Sequence, residues 1–295
     1  MSVRDIMGAQ EWRAAGSMLS TEQGEVFVLD RPADEPDGSP PLFVVHGFPT
    51  SSLDFRHVLD ALARHRRVVL FDQLGFGWSD KPDRRYGIRL HADTAEQVLA
   101  HLGIDQIDLL THDMGDTVGG ELLARDLDGE LSFEIRRRVL TNGSIYLDLA
   151  HLTPGQQLLC ELPDAAIDLI DADNLAAGVA GTFSAGHPAS ADELEQVRVA
   201  ALHQHGERLL ARTIRYLEDR RAEERRFTGA IEHHPSPVGV VWGTEDPVAV
   251  IEMTDELVRA RPGTPVVRLE GVGHYPMVEA PEAFADAVLD HLGTT

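Results

Sequence analysis

The chain has 295 residues, of which 43% are hydrophobic and 25% are charged, and its formal net charge is −23 at pH 7. This composition is typical of a folded globular protein, and the length allows either one large domain or two. The excess of acidic groups repels phosphate backbones, so we expect no nucleic-acid partner.

Cysteine content and hydropathy indicate the compartment. Cys160 is the only cysteine, so no internal disulfide bond can form, which favours a reducing environment. The N-terminal stretch lacks the apolar core of a secretion signal, and no run of about 20 apolar residues occurs. We therefore expect a soluble cytoplasmic protein without a membrane span, and the sequence leaves its oligomeric state open.

The first half of the chain alternates predicted strands with predicted helices. Short apolar runs bounded by turn residues predict strands at 24–30, 42–45, 67–72, 107–110 and 138–143. Helices are predicted at 51–63, at 90–102 and, after the stretch 111–115, at 116–125. This alternation predicts a mostly parallel sheet with helices on both of its faces.

The pattern changes between residues 146 and 235, where no strand is evident. This span holds predicted helices at 154–162, 164–181, 190–203 and 206–226. Strands and helices then alternate again, with strands at 238–242 and 265–269 and helices at 248–260 and 281–292. We therefore predict an α/β core formed by residues 1–145 and 236–295, with residues 146–235 inserted as an all-helical cap.

The most informative stretch is Thr111-His112-Asp113-Met114-Gly115, which lies between a predicted strand and a predicted helix. A strand that turns sharply into a helix, with a reactive side chain between small neighbours, is a nucleophile elbow, usually Gly-x-Ser-x-Gly. Here Asp113 stands at the central position, and Thr111 replaces the first glycine. An aspartate that merely caps the helix is the structural alternative.

Two later residues complete a candidate triad with Asp113. Asp246 follows the predicted strand at 238–242, and His274 lies in a glycine-rich loop after the strand at 265–269. Nucleophile, acid and histidine thus occur in the order that the elbow fold uses, each at the edge where open α/β sheets bind ligands. A helix cap and a loop histidine are the structural alternatives for these two residues.

A loop with the sequence His46-Gly47-Phe48-Pro49 follows the strand at 42–45. We predict that the backbone N–H groups of Phe48 and Met114 form an oxyanion hole, because Pro49 has no N–H to donate. A simple turn is the alternative.

These motifs resemble the α/β-hydrolase superfamily, in its epoxide hydrolase and haloalkane dehalogenase branch, which uses an aspartate nucleophile. Within that branch, residues 46–52, 74–82 and 112–116 are similar to the family of the mesoderm-specific transcript protein and its bacterial relatives. The resemblance covers about 20–150 and 236–292. It implies an α/β-hydrolase fold with Asp113 as the nucleophile.

The same resemblance bears on the choice of acid. In such proteins the acid often directly precedes a proline, which favours Asp246 over the neighbouring Glu245. Some relatives carry the acid after an earlier strand, where this chain has Asn142, which cannot become an anion.

An aspartate nucleophile indicates attack on a saturated carbon. The carboxylate, with an ordinary pKa of ~3.9, is already ionised at neutral pH. Its attack on a carboxylic ester would give an energetic anhydride, whereas attack on an epoxide or alkyl halide gives an ordinary ester. His274, oriented by Asp246, would then activate the water that hydrolyses this ester.

We therefore predict an epoxide hydrolase that acts on a small apolar substrate. A haloalkane dehalogenase is the first alternative, and a non-catalytic ligand-binding protein of the same fold is the second. No cofactor is expected. The pairs His203/His205 and His233-His234 lack the i, i+4 spacing of a metal site on a helix, so no metal is expected either.

The leaving group separates the two enzymatic activities. An opening epoxide becomes a basic alkoxide that needs a proton donor, and the epoxide hydrolases that this chain resembles use cap tyrosines. Tyr216 is the first candidate donor and Tyr146 the second, with aromatic packing as the alternative. Dehalogenases of this type usually place tryptophan directly after the nucleophile and often asparagine after His-Gly, where this chain has Met114 and Phe48.

Overall fold

A computed structural model describes residues 6–164 and 171–293. Its strands are β1 (Ser17–Thr21), β2 (Gly24–Arg31), β3 (Leu42–Val45), β4 (Val68–Phe71), β5 (Gln106–His112), β6 (Glu134–Thr141), β7 (Val238–Gly243) and β8 (Val266–Leu269). They form one sheet in the order β1-β2-β4-β3-β5-β6-β7-β8. β2 is antiparallel to β1 and β4, and all other neighbours are parallel, so the sheet is mostly parallel, as predicted.

The α-helices of the described residues flank this sheet or lie between β6 and β7. They are α1 (Ala9–Ala15), α2 (Leu59–Leu62), α3 (Ile88–His101), α4 (Met114–Asp128), α5 (Pro154–Glu161), α6 (Ala172–Ala180), α7 (Ala191–Ala201), α8 (Leu210–Thr213), α9 (Tyr216–His233), α10 (Glu252–Ala260), α11 (Pro276–Glu279) and α12 (Pro281–Leu292). Short 3-10 helices cover Ser52–His57, Leu147–Leu149 and His203–Leu209. No described helix combines the length and the apolar character that crossing a membrane requires.

The observed elements include one strand that was not predicted, and two predicted helices differ from the observed ones. β1 was not predicted, because Leu19 is its one buried residue and leaves no apolar run to detect. The helix predicted at 51–63 is a 3-10 helix followed by α2. The helix predicted at 206–226 is divided, because residues up to Leu209 form a 3-10 helix and the chain breaks again between α8 and α9.

The span between β6 and β7 contains helices and no strand among its described residues. The second half of the helix predicted at 164–181 corresponds to α6, while residues 165–170 lie outside the described part. α9 packs along α4, which joins this helical span to the core. The division of the chain at residues 145 and 235 stays a prediction.

The parallel strands place the candidate site. β3 and β4 are apolar runs buried along their whole length, as expected for a sheet covered on both faces. Because β3, β5, β6, β7 and β8 run in parallel, the loops after them meet at one edge of the sheet.

Candidate active site

Asp113 lies at the turn between β5 and α4, with φ 51° and ψ −118°, a conformation that residues with side chains rarely adopt. Glycines permit this turn: a Cβ added to Gly115 would lie 2.2 Å from the carbonyl oxygen of Val45, and one added to Gly47 would lie 2.4 Å from Asp113 Cβ. The Asp113 side chain makes no capping hydrogen bond to α4, so the structural alternative of a capping aspartate is wrong.

The carboxylate of Asp113 is held from one side by the loop after β3. The N–H of Phe48 donates to Asp113 Oδ2 at 2.8 Å. Met114 is the first residue of α4, so its N–H has no carbonyl partner within the helix and lies at the positive end of the helix dipole. The two predicted oxyanion donors thus flank the candidate nucleophile.

The predicted triad residues converge at the edge of the sheet. His274 Nδ1 donates to Asp246 Oδ2 at 2.8 Å, and His274 Nε2 lies 3.8 Å from Asp113 Oδ1. All three residues are buried, whereas the competing acid Glu245 is exposed. The structure therefore brings the three residues of the predicted triad together in the order Asp113, His274, Asp246.

Backbone groups and one amide side chain fix the Asp246 carboxylate. Its Oδ1 accepts hydrogen bonds from the N–H groups of Val248 (2.7 Å) and Ala249 (3.0 Å). Its Oδ2 accepts a bond of 2.7 Å from Asn142 Nδ2, while Asn142 Oδ1 accepts one of 2.9 Å from the N–H of Gly243. The direction of this carboxylate is therefore fixed before any substrate binds.

Asn142 is a supporting residue that sequence reasoning missed. The sequence showed only that it could not become an anion, yet the structure places it against Asp246, the predicted acid. The available signal was its position at the end of β6, because an Asp after β7 must lie beside it if those strands are neighbours.

Glu279 holds the loop that carries His274. Its carboxylate accepts hydrogen bonds from the N–H groups of Gly273 (2.7 Å) and Tyr275 (3.0 Å) on either side of the histidine. It also accepts one of 3.0 Å from Ser184, which follows α6. One buried side chain thus ties the histidine loop to the helical span above it.

Two carboxylates govern the protonation of His274. Burial lowers its pKa, but the charge of Asp246, the hydrogen bond to it and the charge of Asp113 together outweigh burial and raise the pKa to about 9. His274 is therefore an imidazolium at neutral pH. Loss of the Asp113 charge, as in an ester, would lower the pKa of His274 and favour its neutral, basic form.

This raised pKa predicts how stability depends on pH. Because the pKa of His274 is higher in the folded than in the unfolded chain, its contribution to the free energy of unfolding is complete below pH 6.5 and disappears as the pH rises to about 9. We expect roughly 3 kcal/mol for the full effect. Urea unfolding of the native protein and of His274→Gln at pH 6 and pH 9.5 measures it, and an equal loss in both proteins would contradict the assignment.

Tyr216 and Tyr146 occupy different surroundings. Tyr216 is buried, and its ring centroid lies 5.9 Å from that of Phe48, whose N–H holds Asp113. Burial and the Asp113 charge raise the pKa of the Tyr216 hydroxyl far above its usual range, so it keeps its proton. The half-buried Tyr146 instead donates its hydroxyl to Glu232 Oε1 at 3.2 Å.

A cavity of about 250 Å³ reaches the candidate triad from the helical span. His274 and Phe48 line it beside the nucleophile. Its wall is mainly apolar, from Leu158, Leu159, Leu175, Val179, Leu210, Val248 and Tyr275, with polar groups from Thr153, Gln156, Asn174 and Thr182. Such a lining suits a small, mostly apolar molecule.

The histidine pairs noted in the sequence do not form a metal site in the described structure. Within residues 6–164 and 171–293, no three His, Cys, Asp or Glu side chains are grouped so that they could hold a metal ion. His203 packs edge-on against Trp78, with ring centroids 5.1 Å apart.

Several known proteins are similar to this chain in sequence. The sequence profile of the alpha/beta hydrolase family matches residues 42–287. LipZ of Mycobacterium tuberculosis H37Rv, whose name classes it provisionally as a hydrolase, is 42% identical over 96% of this chain and 97% of its own. The human mesoderm-specific transcript homolog protein is 31% identical over 96% of this chain and 87% of its own.

Solved structures agree in fold. An alpha/beta hydrolase fold protein from Burkholderia ambifaria is 26% identical with a TM-score of 0.77, over 93% of this chain and 97% of that one. The haloalkane dehalogenase DbeA from Bradyrhizobium elkani is 19% identical with a TM-score of 0.77, over 94% of this chain and 97% of that one. At that identity the second likeness concerns the fold alone.

Proposed function

This chain belongs to the alpha/beta hydrolase family, and we propose that it hydrolyses epoxides to diols through an ester on Asp113. The family and the fold predicted from the sequence are confirmed, as is the similarity to the mesoderm-specific transcript protein. The reaction, the aspartate nucleophile and the roles of the site residues are the proposal.

The first step forms the ester. The N–H of Phe48 holds Asp113 Oδ2, which leaves Oδ1 to attack a ring carbon of the epoxide. The bond between that carbon and the ring oxygen breaks, and the oxygen takes the proton of Tyr216. The proton carried by the imidazolium of His274 returns to the tyrosinate, which leaves His274 neutral.

The second step releases the diol. Neutral His274 takes a proton from water, and the resulting hydroxide attacks Asp113 Cγ. Negative charge then develops on Oδ2, where the N–H of Phe48 already donates at 2.8 Å and Met114 supplies the second donor. Collapse expels Oδ1 with the diol, to which the added hydroxyl gives its proton. The Asp113 carboxylate is restored with one oxygen from water, and His274 is again an imidazolium.

The observation that carries the choice of epoxides is the position of Tyr216. A buried phenol that keeps its proton lies against Phe48, within the electrostatic influence of Asp113, and can protonate a strongly basic alkoxide. Phe48 and Met114 have no side-chain N–H for a halide. The indole N–H groups of Trp12 and Trp242 are already bonded to Ser52 and to the carbonyl oxygen of Ala249. The indole N–H of Trp78 has no hydrogen-bond partner among the described residues, but Trp78 does not line the cavity.

Turnover on two substrate panels tests the proposal. A set of small apolar epoxides and a matched set of alkyl halides is incubated with the native protein and with Asp113→Asn. We expect diol from the epoxides with the native protein alone. Halide release without diol would establish the dehalogenase alternative instead, and no turnover of either panel would favour the non-catalytic alternative.

Removal of the Tyr216 hydroxyl is expected to slow ester formation from an epoxide by about 10²- to 10⁴-fold. Tyr216→Phe keeps the ring that packs on Phe48, so the effect reports the lost proton. Tyr86→Phe is the matched control, because Tyr86 is also buried and its hydroxyl donates to the carbonyl oxygen of Pro82. If ester formation were as fast in Tyr216→Phe as in the native protein but slow in Tyr146→Phe, Tyr146 would be the proton donor.

We further propose that residues 146–235 act as the cap. Helices α5, α6 and α8 supply most of the apolar wall of the cavity, and Tyr216 comes from the same span. In this proposal the core supplies the groups that form and hydrolyse the ester. The cap supplies the proton donor and the cavity wall that determines which substrates fit.

A further inference from the structure

Arg220 lies one helical turn after Tyr216 on α9. Residues four apart share one face of a helix, and both of these are buried, with 5% and 2% of their surface exposed. The face packs along α4, the helix that begins at the candidate nucleophile. Neither step of the proposed reaction gives this buried guanidinium a role.

A buried guanidinium needs negative or polar partners, because removing its charge from water is costly. Burial lowers the pKa of Arg220, and its interactions with Tyr216, Asp113 and Glu224 oppose that effect. Among the described residues, its Nη2 is buried without a hydrogen-bond partner. Arg220 therefore brings a positive charge and an unused N–H donor into the surroundings of Asp113.

Arg220 and Tyr216 lie four residues apart on one buried face of α9, and a hydrogen bond between them can run in one direction only. A guanidinium can only donate, so the oxygen of Tyr216 accepts and the tyrosine proton is left to be donated elsewhere. The positive charge also opposes the rise in the pKa of Tyr216 that burial and Asp113 cause. Arg220 thus orients Tyr216 and makes it a better acid.

We propose that Arg220 and Tyr216 together form a two-donor site for the oxygen of the opening epoxide. The inference rests on the proposed function. Tyr216 gives its proton to the oxygen, and Nη2 of Arg220 donates a second hydrogen bond to the same atom as negative charge develops there. A second tyrosine is then unnecessary, which agrees with the engagement of Tyr146 by Glu232.

A void of about 10 Å³ borders Arg220 and supplies the competing explanation. It is lined by Arg220 and its neighbours on α4, α9 and the segment after β6, namely Thr117, Ile145, Leu147, Glu224, Phe227, Thr228 and Ile231. The void is too small for a substrate and suits at most one water. If Nη2 served only such a water, Arg220 would stabilise the fold and leave the leaving group unaffected.

Leaving-group dependence separates these two roles. In a His274→Gln background, which blocks the second step, ester formation on Asp113 is timed by intact mass and located by peptide mass. Styrene oxide leaves a basic alkoxide, and benzyl bromide leaves a halide that needs no proton. We expect Arg220→Met to lower the rate ratio of styrene oxide to benzyl bromide by about 100-fold. Arg220→Lys keeps a charge and donors and should recover part of that ratio.

Arg138→Met is the matched control, because Arg138 is also buried, and one of its nitrogens faces the carbonyl oxygen of His234. The ratio of the ester-formation rates for styrene oxide and benzyl bromide should be the same in this variant as in the parent His274→Gln protein. If Arg220→Met slows ester formation from both reagents equally and lowers the melting temperature, the proposed role of Arg220 is wrong, while the epoxide chemistry is unaffected. Failure of the parent with Arg220 intact to form any ester from styrene oxide would overturn the epoxide chemistry, and this inference with it.

Discussion

Replacement of Asp113 by asparagine should lower diol formation from an epoxide by about 10⁴- to 10⁶-fold, as expected when a covalent nucleophile is removed. The amide has nearly the same shape, and its oxygen can still accept the N–H of Phe48. Asparagine also tolerates the positive φ of this position. The loss should therefore reflect chemistry rather than folding, and steady-state diol formation measures it beside a melting temperature.

Asp116→Asn is the matched control for this variant. Asp116 is buried three residues away, and its Oδ1 accepts a hydrogen bond from the hydroxyl of Thr111. Burial, opposed by that bond and reinforced by the charge of Asp113, raises the pKa of Asp116 well above its usual range. An amide therefore resembles its neutral form, and activity should change by no more than about threefold. If Asp113→Asn kept more than about 1% of native activity, the role of Asp113 as the nucleophile would be contradicted.

Replacement of His274 by glutamine should separate the two steps. Asp113 needs no base for its attack, so the ester still forms, whereas its hydrolysis loses its general base and should slow by about 10³- to 10⁴-fold. Intact mass spectrometry after incubation with an epoxide should show a gain equal to the mass of one epoxide. Peptide mapping should place that gain on Asp113.

The double variant Asp113→Asn with His274→Gln is the control, and it should gain no mass. Formation of diol by His274→Gln at the native rate would show that another group activates water. A mass gain that persists in the double variant would show that the epoxide alkylates a different side chain. Either result would contradict the proposed roles of Asp113 and His274.

The candidate triad could be predicted because its geometry follows from local patterns. Asp113, Asp246 and His274 each follow an apolar strand, and parallel strands bring such positions to one edge. Asn142 could not be assigned its contact with Asp246, because that contact depends on β6 and β7 being neighbours in the sheet. Strand order is a long-range property that no local pattern records.

The helical span was less predictable. α9 carries Arg220 and Glu232 on buried positions beside apolar residues, so hydrophobic spacing does not mark its inward face. The four-residue separation of Tyr216 and Arg220 is visible in the sequence, but their shared burial follows from packing along α4. The helix predicted at 206–226 is divided between a 3-10 helix, α8 and α9, and Glu223 inside α9 departs from helical dihedral angles, although no glycine or proline occurs at 210–226.

The measurement that tests the covalent route most directly is a single turnover in ¹⁸O-water with the protein in excess over an epoxide. In the proposed reaction the new hydroxyl oxygen of the diol is Oδ1 of Asp113, and the water oxygen enters the carboxylate. We therefore predict unlabelled diol and a 2 Da gain on the peptide that contains Asp113. Labelled diol with an unlabelled Asp113 peptide would show direct attack by water and would contradict the ester mechanism.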